Sequence, residues 1–208
     1  MLKETFEQLA GNYSDNRELI EQAWQELEKG YSAKNRHYHT LLHLEHLLAQ
    51  LSEVKPLISD WNTMLFTLFY HDVIYNAEKS HNEEQSALLA EKRLAQLHVP
   101  ASQIRKCGEQ ILATKSHTSH ADQDTNFFTD ADLSVLGLDW EMYQVYAANV
   151  RKEYAIYPDL LYYPGRKKVL DHFLSMERIY KTDHFHHKLE ARARENLERE
   201  RMECVNRK

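Results

Sequence analysis

An imidazole and a carboxylate in succession, His71-Asp72, close the apolar run MLFTLFYHD. A charge in apolar surroundings is costly unless it is paired or holds a metal. Upstream, RHYHTLLHLEHLL brings His39, His43 and His46 to one side of a helix by spacings of four and three. Downstream, FFTDADLSVLG sets Asp130 and Asp132 in a second apolar context. Two imidazoles and two carboxylates from three separate helices make a mixed nitrogen and oxygen site with open positions for water and substrate. Such a donor set suits Mn, Fe, Co, Ni or Mg better than a structural zinc. Each piece alone has an ordinary explanation: a polar helix face for the histidines, an N-cap for the aspartates, a helix C-terminus that favours imidazolium for His71. Their joint occurrence in this order is what points to a metal.

Other groups fit around such a centre. Lys115 and His117 in ATKSH are placed to bind a phosphate or protonate a leaving group, or simply to end a helix in solvent. Glu83 and Glu84 hold a water or only start a helix, where negative charge is favourable anyway. Arg36, Arg151, Lys152, Arg166, Lys167 and Lys168 supply positive charge, and a bidentate arginine is the natural clamp for a phosphate. His184, His186 and His187 read as surface. Nucleophilic catalysis is the weaker reading: there is no GxSxG elbow, and Cys107 sits in a polar-apolar helix without an obvious basic partner to activate it. Gly-rich phosphate cradles are equally missing.

The elements that must position these groups are helices. Only 5 Gly and 4 Pro punctuate 208 residues, and the apolar positions recur at three-four spacing without alternation. The chain therefore reads as all-α, with helices over residues 2–9, 16–29, 41–51, 61–71, 83–97, 102–114, 132–136, 141–154, 166–179 and 188–203. Residues 117–126 (HTSHADQDTN) read as a polar loop near the site, and Tyr163-Pro164-Gly165 as a break before the helix at Arg166. No linker composition or repeat divides the chain, so residues 1–208 are expected to form a single domain, with metal motifs between 36 and 132 and a substrate-side segment over 141–208. At this length a core needs neither disulfides nor structural metal. Two cysteines far apart, no signal-like N-terminus and no apolar run near the ~20 residues of a membrane span point to a cytoplasmic protein without a membrane partner. A net charge of −6 argues against duplex nucleic acid.

The order His, then His-Asp, then Asp on an all-helical chain resembles the HD-domain superfamily of metal-dependent phosphohydrolases. RHYHTLLHLEHLL, FYHDVIYN, HNEEQSALLAEKRL, ILATKSH, FFTDADLSVLG, VRKEYAIYPDLLYYPGRKKVLDHFL and IYKT together resemble its predicted-phosphohydrolase subgroup, over most of the chain. The resemblance implies a single-domain HD-like helical bundle. It makes His43, His71, Asp72 and Asp132 ligands of a divalent metal, with His39, Asp130, Glu83 and Glu84 orienting ligand or water. The implied reaction is hydrolysis of a phosphate ester or anhydride of a nucleotide or another small phosphorylated metabolite. In it Asp72 or Asp130 takes the proton, Lys115 and His117 assist, and Arg36, Arg151, Tyr154 and Arg166 bind substrate. Two other activities lie within the same resemblance: a di-iron oxygenase, and a nucleotide sensor without catalysis.

Overall fold

The computed structural model describes residues 1–206, and every regular element among them is helical. The all-α expectation holds. The Cα framework divides into two compact units, Met1–Thr129 and Asp130–Lys208. The division falls inside a helix, in keeping with a sequence that shows no linker.

The first unit contains α1 (Leu2–Gly11), α2 (Arg17–Tyr31), α3 (Leu41–Val54), α4 (Trp61–Tyr70), α5 (Asn82–Gln96), α6 (Ala101–Ala113) and most of α7 (Gln123–Asp132). Its packing follows from the apolar spacing. In α2, Ile20, Ala23, Trp24, Leu27 and Tyr31 are buried along one stripe, and Asn16 caps the helix by accepting the Leu19 N–H at 3.0 Å. Every residue of α4 from Thr63 to Tyr70 is buried. A helix apolar all round is a central one, and α1, α3, α5 and α6 all pack against it. Asp60 fixes its start, accepting the Thr63 N–H at 3.0 Å.

α5 ends in a paired hydrogen-bond cap, Val99 N–H to Leu94 O and His98 N–H to Ala95 O, which places His98 at φ 63°. A Cβ is disfavoured in that left-handed region. Because His98 is exposed, His98→Gly is expected to stabilise the protein by about 0.5–1 kcal/mol, seen as a higher urea midpoint at unchanged slope. An unchanged or lower midpoint would count against the cap.

α7 corrects the sequence reading. Residues 123–132 are helical where a loop followed by a short helix was expected. The Asp122 carboxylate starts α7, accepting the Thr125 N–H at 3.0 Å and its hydroxyl at 2.7 Å. The helix shows no simple apolar stripe because polar residues, Asp124, Thr125, Asn126, Thr129 and Asp130, are buried together with Phe127, Phe128 and Ala131. Asp124 accepts the backbone N–H groups of Ser59 and Asp60 at 2.9 and 3.0 Å and the Lys106 ammonium at 2.8 Å.

The second unit holds the short 3-10 helix Leu133–Gly137, α8 (Trp140–Glu153), α9 (Asp159–Ser175) and α10 (Asp183–Asn206). Here α9 runs through Pro164, so the break expected at Tyr163-Pro164-Gly165 is absent. Its start lies at Pro158, where a fixed φ and a missing N–H cost nothing. Gly137 permits a close approach: a Cβ there would stand 2.7 Å from the Leu189 Cβ of α10. Asn196 holds the same junction, donating to the Leu136 and Leu138 carbonyls at 2.9 and 2.8 Å.

Two buried carboxylates organise the IYKT segment, Ile179 to Thr182. Asp130 accepts the Lys181 and Thr182 N–H groups at 2.9 and 2.7 Å, the Thr182 hydroxyl at 2.7 Å, and pairs with the Lys181 ammonium at 3.2 Å. Glu190 accepts the N–H groups of Ile179 and Tyr180 and the Arg194 guanidinium at 2.7 Å. Burial works to raise the Glu190 carboxyl pKa, but these hydrogen bonds outweigh it and hold the group below its usual range. A depressed carboxyl contributes stability that is present above the unfolded value of about 4.3 and lost as pH falls through the folded one. Unfolding free energy is thus expected to drop on acidification below about pH 4.5, and the Glu190→Gln variant should show a shallower drop. Parallel pH profiles in urea for the two proteins would refute this role.

Candidate metal centre

His71 is the first residue after α4, and its ring is 1% exposed. Its Nδ1 lies 2.9 Å from the Leu68 carbonyl. A carbonyl only accepts, so Nδ1 carries the proton and Nε2 presents a lone pair. That lone pair points at two other donor atoms: His43 Nε2 at 3.2 Å and Asp72 Oδ2 at 3.3 Å. His43 Nε2 and Asp72 Oδ2 are 4.0 Å apart. Ligands about 2.1 Å from one ion and at right angles to each other stand about 3 Å apart, so this triangle has the dimensions of one face of a coordination shell. His43 lies in the first turn of α3 and is 4% exposed. His39 stands farther out, its Nε2 3.8 Å from Asp72 Oδ2 and its ring centred 4.3 Å from that of Tyr75. The structure thus brings together His39, His43, His71 and Asp72.

The peptide of Asp72 is held from both sides. Its N–H is 3.2 Å from the Tyr31 hydroxyl at the end of α2. Its carbonyl accepts from Arg36 Nη1 at 2.7 Å, and the same guanidinium reaches the His39 carbonyl at 3.0 Å and the Val73 carbonyl at 2.8 Å. The rings of Tyr31 and Tyr75 flank Arg36 at 5.0 and 5.5 Å. Gly30 leaves room for the Val73 carbonyl, which a Cβ would meet at 2.8 Å. Arg36, which the resemblance assigns to substrate, here donates to three backbone carbonyls of its own chain. It is buried, and it fixes the backbone on which the carboxylate stands. Nothing in the sequence separated this role from a surface one.

Other expected site residues are engaged elsewhere. Lys115 pairs with Glu84, lies 4.0 Å from Glu83 and donates to the Ser80 carbonyl at 2.7 Å. Glu83 and Glu84 open α5. His117 follows α6 at φ 51°, its N–H on the Ala113 carbonyl at 3.0 Å, a helix-closing position. Asp130, expected to take a proton, is 0% exposed and already accepts three hydrogen bonds and an ion pair.

Arg151 donates to Asp159 at 2.7 Å and to the Tyr154 and Tyr157 carbonyls at 2.9 and 3.0 Å, so Tyr154 supports the arginine through its backbone. Arg166 makes a two-point contact with Glu200 at 2.8 and 2.9 Å. Both arginines were expected to meet substrate phosphate, and both are instead committed to carboxylates of the same chain. Cys107 is fully buried and its thiol is pushed up to about 12, chiefly by that burial, which disposes of it as a nucleophile.

Asp132 ends α7. It stands one turn beyond Phe128, whose ring meets the His71 ring at 5.4 Å.

Comparison of the chain with protein-family models, curated proteins and solved structures returns no match.

Proposed function

We propose that the protein is a metal-dependent phosphohydrolase acting on a nucleotide or another small phosphorylated metabolite. The observation that carries the reading is the triangle of His43 Nε2, His71 Nε2 and Asp72 Oδ2, with sides of 3.2, 3.3 and 4.0 Å. Two imidazole nitrogens and a carboxylate oxygen this close, two of them on buried residues, form a donor set for a divalent cation of the Mn, Fe, Co, Ni or Mg class. The family resemblance adds Asp132, the last residue of α7, to these ligands. When bound, a divalent ion supplies Lewis acidity toward a phosphoryl oxygen and acidifies water at neutral pH.

The chain's own contribution is orientation and proton transfer. The Leu68 carbonyl keeps His71 in the tautomer that offers Nε2, and Arg36 and Tyr31 hold the Asp72 backbone so that its carboxylate reaches the two rings. In this reading the Asp72 carboxylate would take the proton from water, and His39, the most exposed of the three histidines around that carboxylate, stands 3.8 Å from Asp72 Oδ2. The paired state of Lys115, Arg151 and Arg166 means that their charges are already offset inside the protein.

The test is metal analysis of freshly purified protein, followed by a screen of phosphorylated metabolites with each divalent ion. One ion per chain and metal-dependent phosphate release are expected. Two irons per chain with dioxygen consumption would replace the proposal with an oxygenase, and nucleotide binding without metal or turnover would replace it with a sensor.

A further inference from the structure

The segment VRKEYAIYPDLLYYPGRKKVL keeps its arginines for internal pairing, yet it borders a recess of about 380 Å³ that the metal reading does not use. The recess lies wholly within the second unit and is lined by one face of α8, the first turns of α9 and the end of α10. Its size is that of a small-molecule site.

Four aromatic rings stand around it. Trp140 and Tyr143 are stacked, their planes 16° apart, and Tyr162 and Tyr163 meet edge to face at 75°. Ala147 and Ala148 occupy the stretch of α8 between the two ring pairs, where larger side chains would fill the space. Tyr143 and Tyr162 are buried, while Gln144, Ala148 and Glu203 are exposed, so the recess has an aromatic floor and an open polar rim. Such walls take a flat ring.

Charge selects among flat rings. Arg151 is offset by Asp159 and covers the Tyr162 ring at 4.5 Å, and Glu200 at the floor is offset by Arg166 and accepts the Tyr143 hydroxyl at 2.5 Å. Among the described residues lining the recess, Glu203 is then the ionised group without an ion pair or hydrogen bond. An anion is disfavoured there and a cation is favoured. We propose that this recess binds a flat aromatic molecule bearing an amine, its ring between the tyrosine and tryptophan walls and its positive charge at Glu203.

Three probes that share an indole ring and differ in charge test it: tryptamine, 3-ethylindole and indole-3-propionate, titrated calorimetrically into the whole 208-residue chain. Tryptamine should bind tightest, 3-ethylindole about threefold to fivefold more weakly, and indole-3-propionate about tenfold more weakly. Glu203→Gln should bring tryptamine to the level of 3-ethylindole. Ala147→Phe should abolish binding of all three, and Ala148→Trp, at the exposed rim, makes the same test should the first variant fail to fold. No saturable binding up to about 1 mM, equal affinities for the three probes, or undiminished binding in a filled variant that folds would each overturn the proposal.

Discussion

Protein carrying Asp72→Asn is expected to be purified with its divalent metal almost entirely lost, its affinity lowered roughly 100-fold or more. The substitution keeps the shape of the side chain and removes its charge, so an effect on metal cannot be charged to packing. The carboxylate is 17% exposed, 3.3 Å from His71 Nε2 and 4.0 Å from His43 Nε2, and its backbone anchors to Tyr31 and Arg36 do not involve the side chain. His43→Ala should lose metal outright. His39→Ala, which removes a ring 3.8 Å from the Asp72 oxygen rather than a member of the triangle, should weaken it only about 10-fold to 100-fold. Metal analysis with thermal unfolding of each variant separates loss of the ion from loss of the fold. Wild-type metal content in Asp72→Asn, or equal losses for His39 and His43, would show that the triangle is a hydrogen-bonded cluster and not a metal centre.

Removing the Arg166 guanidinium should cost about 3–5 kcal/mol of stability, because it breaks a buried ion pair from one side. Burial works to lower its pKa, but the Tyr146 hydroxyl and Glu200 hold it well above the usual value, so the charge is retained inside the protein. Glu200 receives Arg166 Nε at 2.8 Å, Arg166 Nη2 at 2.9 Å and the Tyr143 hydroxyl at 2.5 Å. Arg166→Met leaves that carboxylate buried with one donor, and breaking a buried pair from one side costs about 3–5 kcal/mol. The double variant Arg166→Met, Glu200→Leu removes both charges and should recover most of the loss, since an apolar pair of similar volume is often neutral. Urea unfolding of the two variants measures the difference. A loss below about 1 kcal/mol in Arg166→Met would place the arginine at the surface energetically, and it would reopen the expectation that it meets substrate.

Part of this protein was plain in its sequence. Scarce glycine and proline with three-four apolar spacing dictate helices, and eight of the ten lie near the expected positions because their buried stripes are local patterns of Leu, Ile, Phe and Tyr. The gathering of His43, His71 and Asp72 was legible in part. An imidazole beside a carboxylate at the end of an apolar helix has few stable solutions, whereas the histidine spacing left His39, His43 and His46 open and only the family resemblance singled out His43.

What the sequence could not decide is which charges are already spoken for. Arg36, Lys115, Arg151 and Arg166 look alike in sequence as basic residues near the motifs, and each could have been a phosphate ligand. Only the folded chain shows Arg36 on three backbone carbonyls and the others on Glu84, Asp159 and Glu200. α7 failed for the same reason in reverse. Beside Phe127, Phe128 and Ala131 it buries Asp124, Thr125, Asn126 and Thr129, residues that look like loop because they are polar, and these lie inside because each has a hydrogen-bond partner there. For Asp124 those partners are 18 to 65 residues away. Apolar burial repeats along a helix and can be read from local spacing, whereas the satisfaction of a buried polar group depends on which distant donor meets it, and tertiary structure alone settles that.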